Sequence, residues 1–258
     1  IEKNSLVFFV GPSGVGKSTI LETLGLMNNT IQSGPNSILD MFDEYGGKIS
    51  FLNIWKSTNK FLSNIRNEFF SFIFQSNNLF SSLSAFQNVL SSSLIQGADL
   101  QLKKSEAQDV INDLLSDLNI TSRDEIDITK MSGGQRQRLS FARAIIADFK
   151  VLFADEPTGN LDWFNSVKLL EYLKKKIPKN GAGIIVSHDI ELSLKFADKI
   201  VIIDKKTETI ANTNFSYGRI DSSTIFIRDK SNWTNGKLII DSDSFKNLIR
   251  EKFVNDEY

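Results

Sequence analysis

The chain contains no cysteine, which excludes disulfides and thiolate metal sites and accords with a reducing cytosol. No apolar run approaches the ~18 residues of a membrane-spanning helix, and the first residues show no signal-peptide pattern. Work at a membrane would therefore need another chain to cross it. The net charge is only -1, so no global field draws the protein to nucleic acid or to an anionic bilayer, and no nucleic-acid partner is expected. The short lysine runs at Lys174, Lys175 and Lys176 and at Lys205 and Lys206 read as solvated faces. Internal repeats and low-complexity segments are absent. Histidine occurs once, at His188, and a lone histidine is more often structural than chemical.

What is present fits a soluble globular chain: 258 residues, 41% hydrophobic and 24% charged, enough for one large or two small domains with a sizeable core. Short apolar runs at residues 6–10, 72–74, 151–154, 184–186 and 200–203 read as buried strands. Ala107, Val110, Ile111, Leu114, Leu115 and Leu118 recur at the spacing of a helix buried on one face. Val167, Leu170 and Leu173 repeat that pattern after Pro157 and Gly159 have marked a turn. Strands alternating with helices predict an α/β fold around a mainly parallel sheet. Residues 28–71, rich in Asn, Ser and Gly, are expected to be irregular or antiparallel structure beside the core. Beyond residue 205 the expectation is β-like pieces at 224–227 and 238–240 and an amphipathic helix over 245–253, with no chemical motif.

The first apolar run leads into Gly11, Pro12, Ser13, Gly14, Val15, Gly16, Lys17, Ser18 and Thr19, followed by a helical pattern through Ile20, Leu21 and Leu24. This is a G-x-x-x-x-G-K-[ST] loop in its strand–loop–helix setting. Its glycines turn backbone N–H groups inward around phosphate oxygens, and the helix N-terminus adds partial positive charge. Lys17 then reaches the β- and γ-phosphates, and the Ser18 hydroxyl ligates Mg²⁺.

The run at 151–154 ends in Asp155 and Glu156, which places two acids at the carboxyl edge of the sheet, where α/β folds bind ligands. Asp155 suits Mg²⁺, and Glu156 suits orienting and deprotonating an attacking water. His188 follows another strand at a position fit for a hydrogen bond to the γ-phosphate. Gln75 ends the strand near residue 74 and can touch Mg²⁺ or the water. Finally, Ser132, Gly133, Gly134 and Gln135 open a helix that continues through Leu139, Phe141, Ala142 and Ile145. That is a second anion-ready helix N-terminus, puzzling for a single-site kinase and sensible if it closes over a nucleotide held by another subunit.

In this order the motifs resemble those of an ABC-transporter nucleotide-binding subunit. Gly11 to Thr19 resembles its Walker A, Gln75 its Q-loop, Ser132 to Gln135 its signature, Asp155 and Glu156 its Walker B, Gly159 to Asp162 its D-loop and His188 its switch histidine. The strings around Gln75 and from Ala154 to Asp162 are similar to the lipoprotein-release and macrolide-export branch. The resemblance spans residues 1–204. It implies a P-loop NTPase core, a small antiparallel β-subdomain and a helical subdomain over about 81–130 that meets a permease. It also implies two copies sandwiching two ATP molecules head to tail, each site built from one chain's Walker motifs and the other's signature. Such a subunit would lie peripherally on the cytoplasmic face of the cell membrane.

The pattern departs from the family in three places. The adenine-stacking aromatic that normally precedes Walker A by some tens of residues is not in this sequence; either the sequence is truncated, which is the expectation, or base recognition is unusual. The stretch between Lys17 and Gln75 is long, and residues 205–258 form an extension of unassigned role. The rival expectations are a soluble ABC-type ATPase acting on nucleic acid or ribosomes, and an ATP-gated regulatory subunit. Intact Glu156 and His188 weigh against the second.

Overall fold

A computed structural model describes residues 1–32, 34, 37–42, 47–116, 127–177, 181–210 and 213–254. At its centre is β1 (Ser5–Val10), all six residues of which are buried. It lies between two parallel neighbours, β6 (Ala182–Val186) and β7 (Lys199–Ile202). Beyond β6, the sheet continues in parallel through β5 (Val151–Asp155) to β4 (Phe70–Ile73). The residue-to-residue alternation along β1 sorts its side chains onto two cores. Leu6, Phe8 and Val10 enter one hydrophobic cluster, and Val7 and Phe9 enter the other.

The first core is covered by α3 (Ala85–Ile95), α4 (Leu100–Leu114), α5 (Gly133–Ile146), α6 (Trp163–Lys176) and α7 (Ile190–Phe196). The periodic apolar positions of α4 are fully buried there; Leu118, expected to extend that helix, lies outside the described residues. The second core is covered by α1 (Lys17–Leu24) and α2 (Asn59–Phe69). α2 corrects the expectation of irregular structure over 28–71. Thr58 caps it by accepting from the N–H of Phe61, and Leu62 and Ile65 bury against the sheet. The remainder of that stretch includes a short antiparallel pair, β2 (Asp40–Phe42) with β3 (Lys48–Ser50).

Residues beyond 205 share this framework. β8 (Asp204–Ile210) and β9 (Thr213–Arg219) form an antiparallel hairpin. β10 (Ile225–Asp229) then pairs antiparallel with β7, followed by β11 (Asn232–Thr234) and β12 (Ile239–Asp241), completing an eight-stranded sheet. α8 (Ser242–Val254) packs beneath these strands, and Phe226, Trp233 and Phe245 enter the first core. Among the described residues, no helix is long and apolar enough to cross a membrane.

Candidate functional site

Sheet order explains why residues far apart in sequence meet. β1, β6, β5 and β4 are consecutive parallel neighbours, so their carboxyl ends share one edge. Register sets the level at which each chain leaves it: Phe8 pairs with Ile185, Ile185 with Ala154, and Ala154 with Ile73. The segments leaving this edge carry Gly11, His188, Asp155 with Glu156, and Gln75. This is the crevice where α/β sheets place ligands.

In the loop after β1, Gly14 and Gly16 adopt left-handed φ values of 75° and 95°, which L side chains resist. Gly16 is the N-cap of α1 and supplies no side-chain acceptor, leaving the first-turn N–H groups open to an anion. Gly11 is required by crowding, since a Cβ there would stand 2.9 Å from the Ile203 carbonyl oxygen. Lys17 is buried, and its ammonium donates to the carbonyls of Gly11 at 2.9 Å and Pro12 at 2.7 Å. Burial lowers its pKa, and the carboxylates of Glu156 and Asp155 pull it back up. The loop thus holds a cation at its centre, facing the two acids.

Asp155 ends β5, and its Oδ1 is buried without a hydrogen-bond partner. Such an oxygen is costly unless something else completes it, and a divalent cation would. Among the described residues there is no group of three or more His, Cys, Asp or Glu able to cage a metal. One carboxylate plus substrate phosphates is the arrangement Mg²⁺ commonly takes, so the residues fit that ion.

Glu156 has a φ of 47°, an uncommon conformation for a non-glycine residue. Both of its carboxylate oxygens are engaged: His188 Nε2 lies 2.8 Å from Oε1, and Gln75 Nε2 donates to Oε2 at 3.4 Å. A cavity of about 360 Å³ opens here, lined by Glu156, Gly159, Trp163, Ser187 and His188 among others. Gln75, Glu156 and His188, expected separately, therefore form one hydrogen-bonded set.

Ser132 caps α5 in a capping box, accepting from the Gln135 N–H at 3.2 Å while its own N–H donates to Gln135 Oε1 at 2.7 Å. The N–H groups of Gly133 and Gly134 begin the helix and have no partner within it. This end of α5 meets the loop over 159–162, for a Cβ on Gly134 would lie 3.1 Å from the Asn160 carbonyl oxygen. Among the described residues, no hydrogen bond or ion pair joins Ser132, Gly133 or Gln135 to Lys17 or to the Gln75–Glu156–His188 set. Sequence reasoning missed Gln137, which donates to the Glu156 carbonyl at 2.9 Å and accepts from the Asn160 N–H at 2.8 Å. Gln137 stands in the polar run Gln135, Arg136, Gln137 and Arg138, so nothing local marked it.

A family model described as ABC transporter matches residues 1–159. The chain belongs to the ABC transporter family. It is an ATP-binding and ATP-hydrolysing cassette of that family. The macrolide export ATP-binding/permease protein MacB of Campylobacter jejuni is 34% identical over 213 residues, covering 83% of this chain and 30% of that protein. MacB of Bartonella quintana is 33% identical over 254 residues, covering 98% and 36%. These relatives agree with the macrolide-export branch indicated by the motifs, and the chain spans about a third of their length. Among solved structures, the dimeric bacterial ABC transporter cassette MJ0796 superposes with a TM-score of 0.63 at 25% identity, covering 78% of this chain and 82% of that one. A dimeric post-hydrolysis state of the same cassette, bound to ADP and Pi, matches with the same TM-score at 26% identity.

Proposed function

We propose that two copies of this cassette close head to tail over two Mg²⁺·ATP, hydrolyse them, and drive shape changes in a membrane permease at whose inner face they lie. The observation that carries the chemistry is the clamped carboxylate of Glu156, held from both sides by Gln75 and His188 beside the uncompleted Asp155 oxygen.

In this reading the backbone N–H groups of Gly11 to Thr19 and the Lys17 ammonium cradle the β- and γ-phosphates. Ser18, Gln75 and Asp155 hold the metal, which when bound neutralises phosphate charge. Glu156 accepts a proton from water as the water oxygen bonds to the γ-phosphorus and the bond to the β,γ-bridging oxygen breaks. His188, an N–H donor to Glu156 at 2.8 Å, turns to the γ-phosphate oxygens. Ser132, Gly133, Gly134 and Gln135 serve the partner copy's nucleotide, which accounts for their separation from Lys17 within one chain. The dimeric state of the solved cassettes supports this arrangement.

The permease is inferred from the relatives, which are described as ATP-binding/permease proteins. A groove of about 620 Å³ between α2, β4, α3 and α5 offers it a seat, with Met27, Phe74, Phe80 and Ile95 among its lining. We assign residues 1–204 to the ATPase unit, with the helical part at about 81–130. Replacing Glu156→Gln should preserve ATP binding, cut turnover by roughly 100-fold or more and accumulate a closed dimer. Wild-type turnover in that variant would remove Glu156 as the base. Mixing Ser132-dead with Lys17-dead chains should restore activity in verified mixed dimers; no recovery there would end the shared-site reading.

A further inference from the structure

Three non-glycine residues in the two loops around the site have left-handed backbone: Asn77 at φ 59°, Asn78 at 45° and Glu156 at 47°. Such conformations persist only where the surroundings over-determine them. Here, all three carbonyls are gripped by side chains of one helix. Arg143 donates to Asn78 O at 2.6 Å and to Asn77 O at 2.9 Å. Ser140 donates to Asn77 O at 3.1 Å, and Gln137 donates to Glu156 O at 2.9 Å. Gln137, Ser140 and Arg143 stand three residues apart on α5 and are all buried, with exposures of 2%, 0% and 9%. A buried polar row of this kind is costly unless fully used, and each member spends its donors on backbone of a loop that carries a water-handling side chain.

We propose that Gln137, Ser140 and Arg143 are positioning residues for ATP hydrolysis, setting where Gln75 and Glu156 stand relative to each other. The inference rests on Glu156 and Gln75 handling the attacking water. None of the three row side chains contacts the Gln75 side chain or the Glu156 carboxylate. Arg143 acts on Gln75 through the turn that follows it, where Asn77 N–H bonds Phe74 O at 3.0 Å and Asn78 N–H bonds Ser76 O at 2.7 Å. Gln75 reaches Glu156 across 3.4 Å, a long contact that small movements of this turn would open or close. Gln137 acts on Glu156 by tying its carbonyl to Asn160 N–H across the next loop. Because the row belongs to the helix that begins after Ser132, both water-handling side chains are registered to that helix as well as to their own strands.

The test uses the purified chain and Arg143→Ala, Arg143→Lys and Ser140→Ala, with turnover expressed per molecule able to bind a non-hydrolysable ATP analogue. Arg143→Ala should lower kcat about tenfold or more while KM for ATP stays within about threefold. Arg143→Lys, which keeps the charge and one donor site, should recover part of kcat, and Ser140→Ala should lose about threefold. In a double-mutant cycle, Gln75→Ala should cost far less in the Arg143→Ala background than in the wild type. If Arg143→Ala does not fold, the Lys and Ser140→Ala variants carry the same cycle. Unchanged kcat per binding-competent molecule, or strictly additive costs with Gln75→Ala, would overturn the proposal. Glu156→Gln run alongside separates the failures: if it turns over normally, the assignment of the base has failed; if it stalls while the row variants match wild type, only this inference has.

Discussion

The adjacent glycines of the signature give opposite expectations when each is replaced by alanine. A Cβ on Gly133 meets nothing within 4 Å, whereas one on Gly134 lies 3.1 Å from Asn160 O and 3.3 Å from Leu161 Cδ2. Both residues open α5, where alanine is preferred to glycine by about 0.5–1 kcal/mol. Gly133→Ala should therefore raise the melting temperature by about 2 °C in a chain of this size. At Gly134 the methyl must push Asn160, whose N–H is held by Gln137 at 2.8 Å, so the loop has little room to yield. An overpacking cost of about 1–3 kcal/mol outweighs the helix gain, and the melting temperature should fall by a few degrees. Activity should order them differently. In the closed dimer proposed above, the N–H groups at Gly133 would face the partner copy's γ-phosphate, and a methyl there would keep the phosphate from its donors. Loss of one such donor costs about 100-fold in turnover. Gly133→Ala should thus be a slightly stabilised protein that binds ATP as a monomer and hardly hydrolyses it. Thermal melting, ATP binding at low protein concentration and steady-state hydrolysis measure the three quantities. A Gly133→Ala variant with wild-type turnover would refute the idea that a phosphate approaches this helix end.

Two further outcomes concern parts of the molecule away from the chemistry. A Cβ at Gly218 in β9 would collide with the Val15 carbonyl of the phosphate loop and stand 2.7 Å from Ile203 Cγ2; Gly218→Ala should weaken ATP binding several-fold by displacing that loop, and unchanged affinity in equilibrium titration would contradict the packing. Tyr172 has its pKa pushed up from 10.0 to about 12, by burial first and then by the nearby carboxylates of Asp113, Glu106 and Asp109. The folded state then holds a proton that the unfolded chain releases near pH 10. This contribution to stability is fully present below that pH and is lost as pH rises toward about 12. Tyr217 is raised too, first by its hydrogen bond to Glu208, so tyrosinate absorbance of the folded protein should show late-titrating phenol, and loss of the component near 12 in Tyr172→Phe checks the assignment.

The parts of this protein legible in its sequence are those where local pattern and chemistry coincide. The run before Gly11 is uniformly apolar because β1 is covered on both faces, and the apolar strand ending in Asp155 and Glu156 is legible beside the phosphate loop upstream, though alone it reads equally as an acidic turn. α2 was missed because only Leu62 and Ile65 of its eleven residues are buried, a signal too thin to stand out among Asn and Ser. The strands β11 and β12 have three residues each. The pieces expected at 224–227 and 238–240 match β10 and β12, but their joining the main sheet depends on Ile225 pairing with Val201 and Phe226 with Ile200, which no local window contains. Register across the sheet is likewise non-local, so Gln75, Glu156 and His188 could be named one by one without their mutual hydrogen bonds being foreseen.

The row on α5 illustrates a second kind of illegibility. Ser140 and Arg143 interrupt the apolar pattern of Leu139, Phe141, Ala142 and Ile145, and Gln137 stands among polar neighbours just before it, so taken alone the three read as a solvated face. What makes them interior is the demand of distant backbone: carbonyls at the left-handed residues 77, 78 and 156 take donors from this helix, the Glu156 carbonyl in addition to the Gly159 N–H at 3.2 Å. The Arg143 guanidinium, its pKa lowered by burial, also lies 5.9 Å from the centre of the Phe80 ring, so the residue that fixes the Gln75 turn also touches the groove offered to a permease. A partner pressing on Phe80 would therefore act on the same side chain that holds the Asn77 and Asn78 carbonyls.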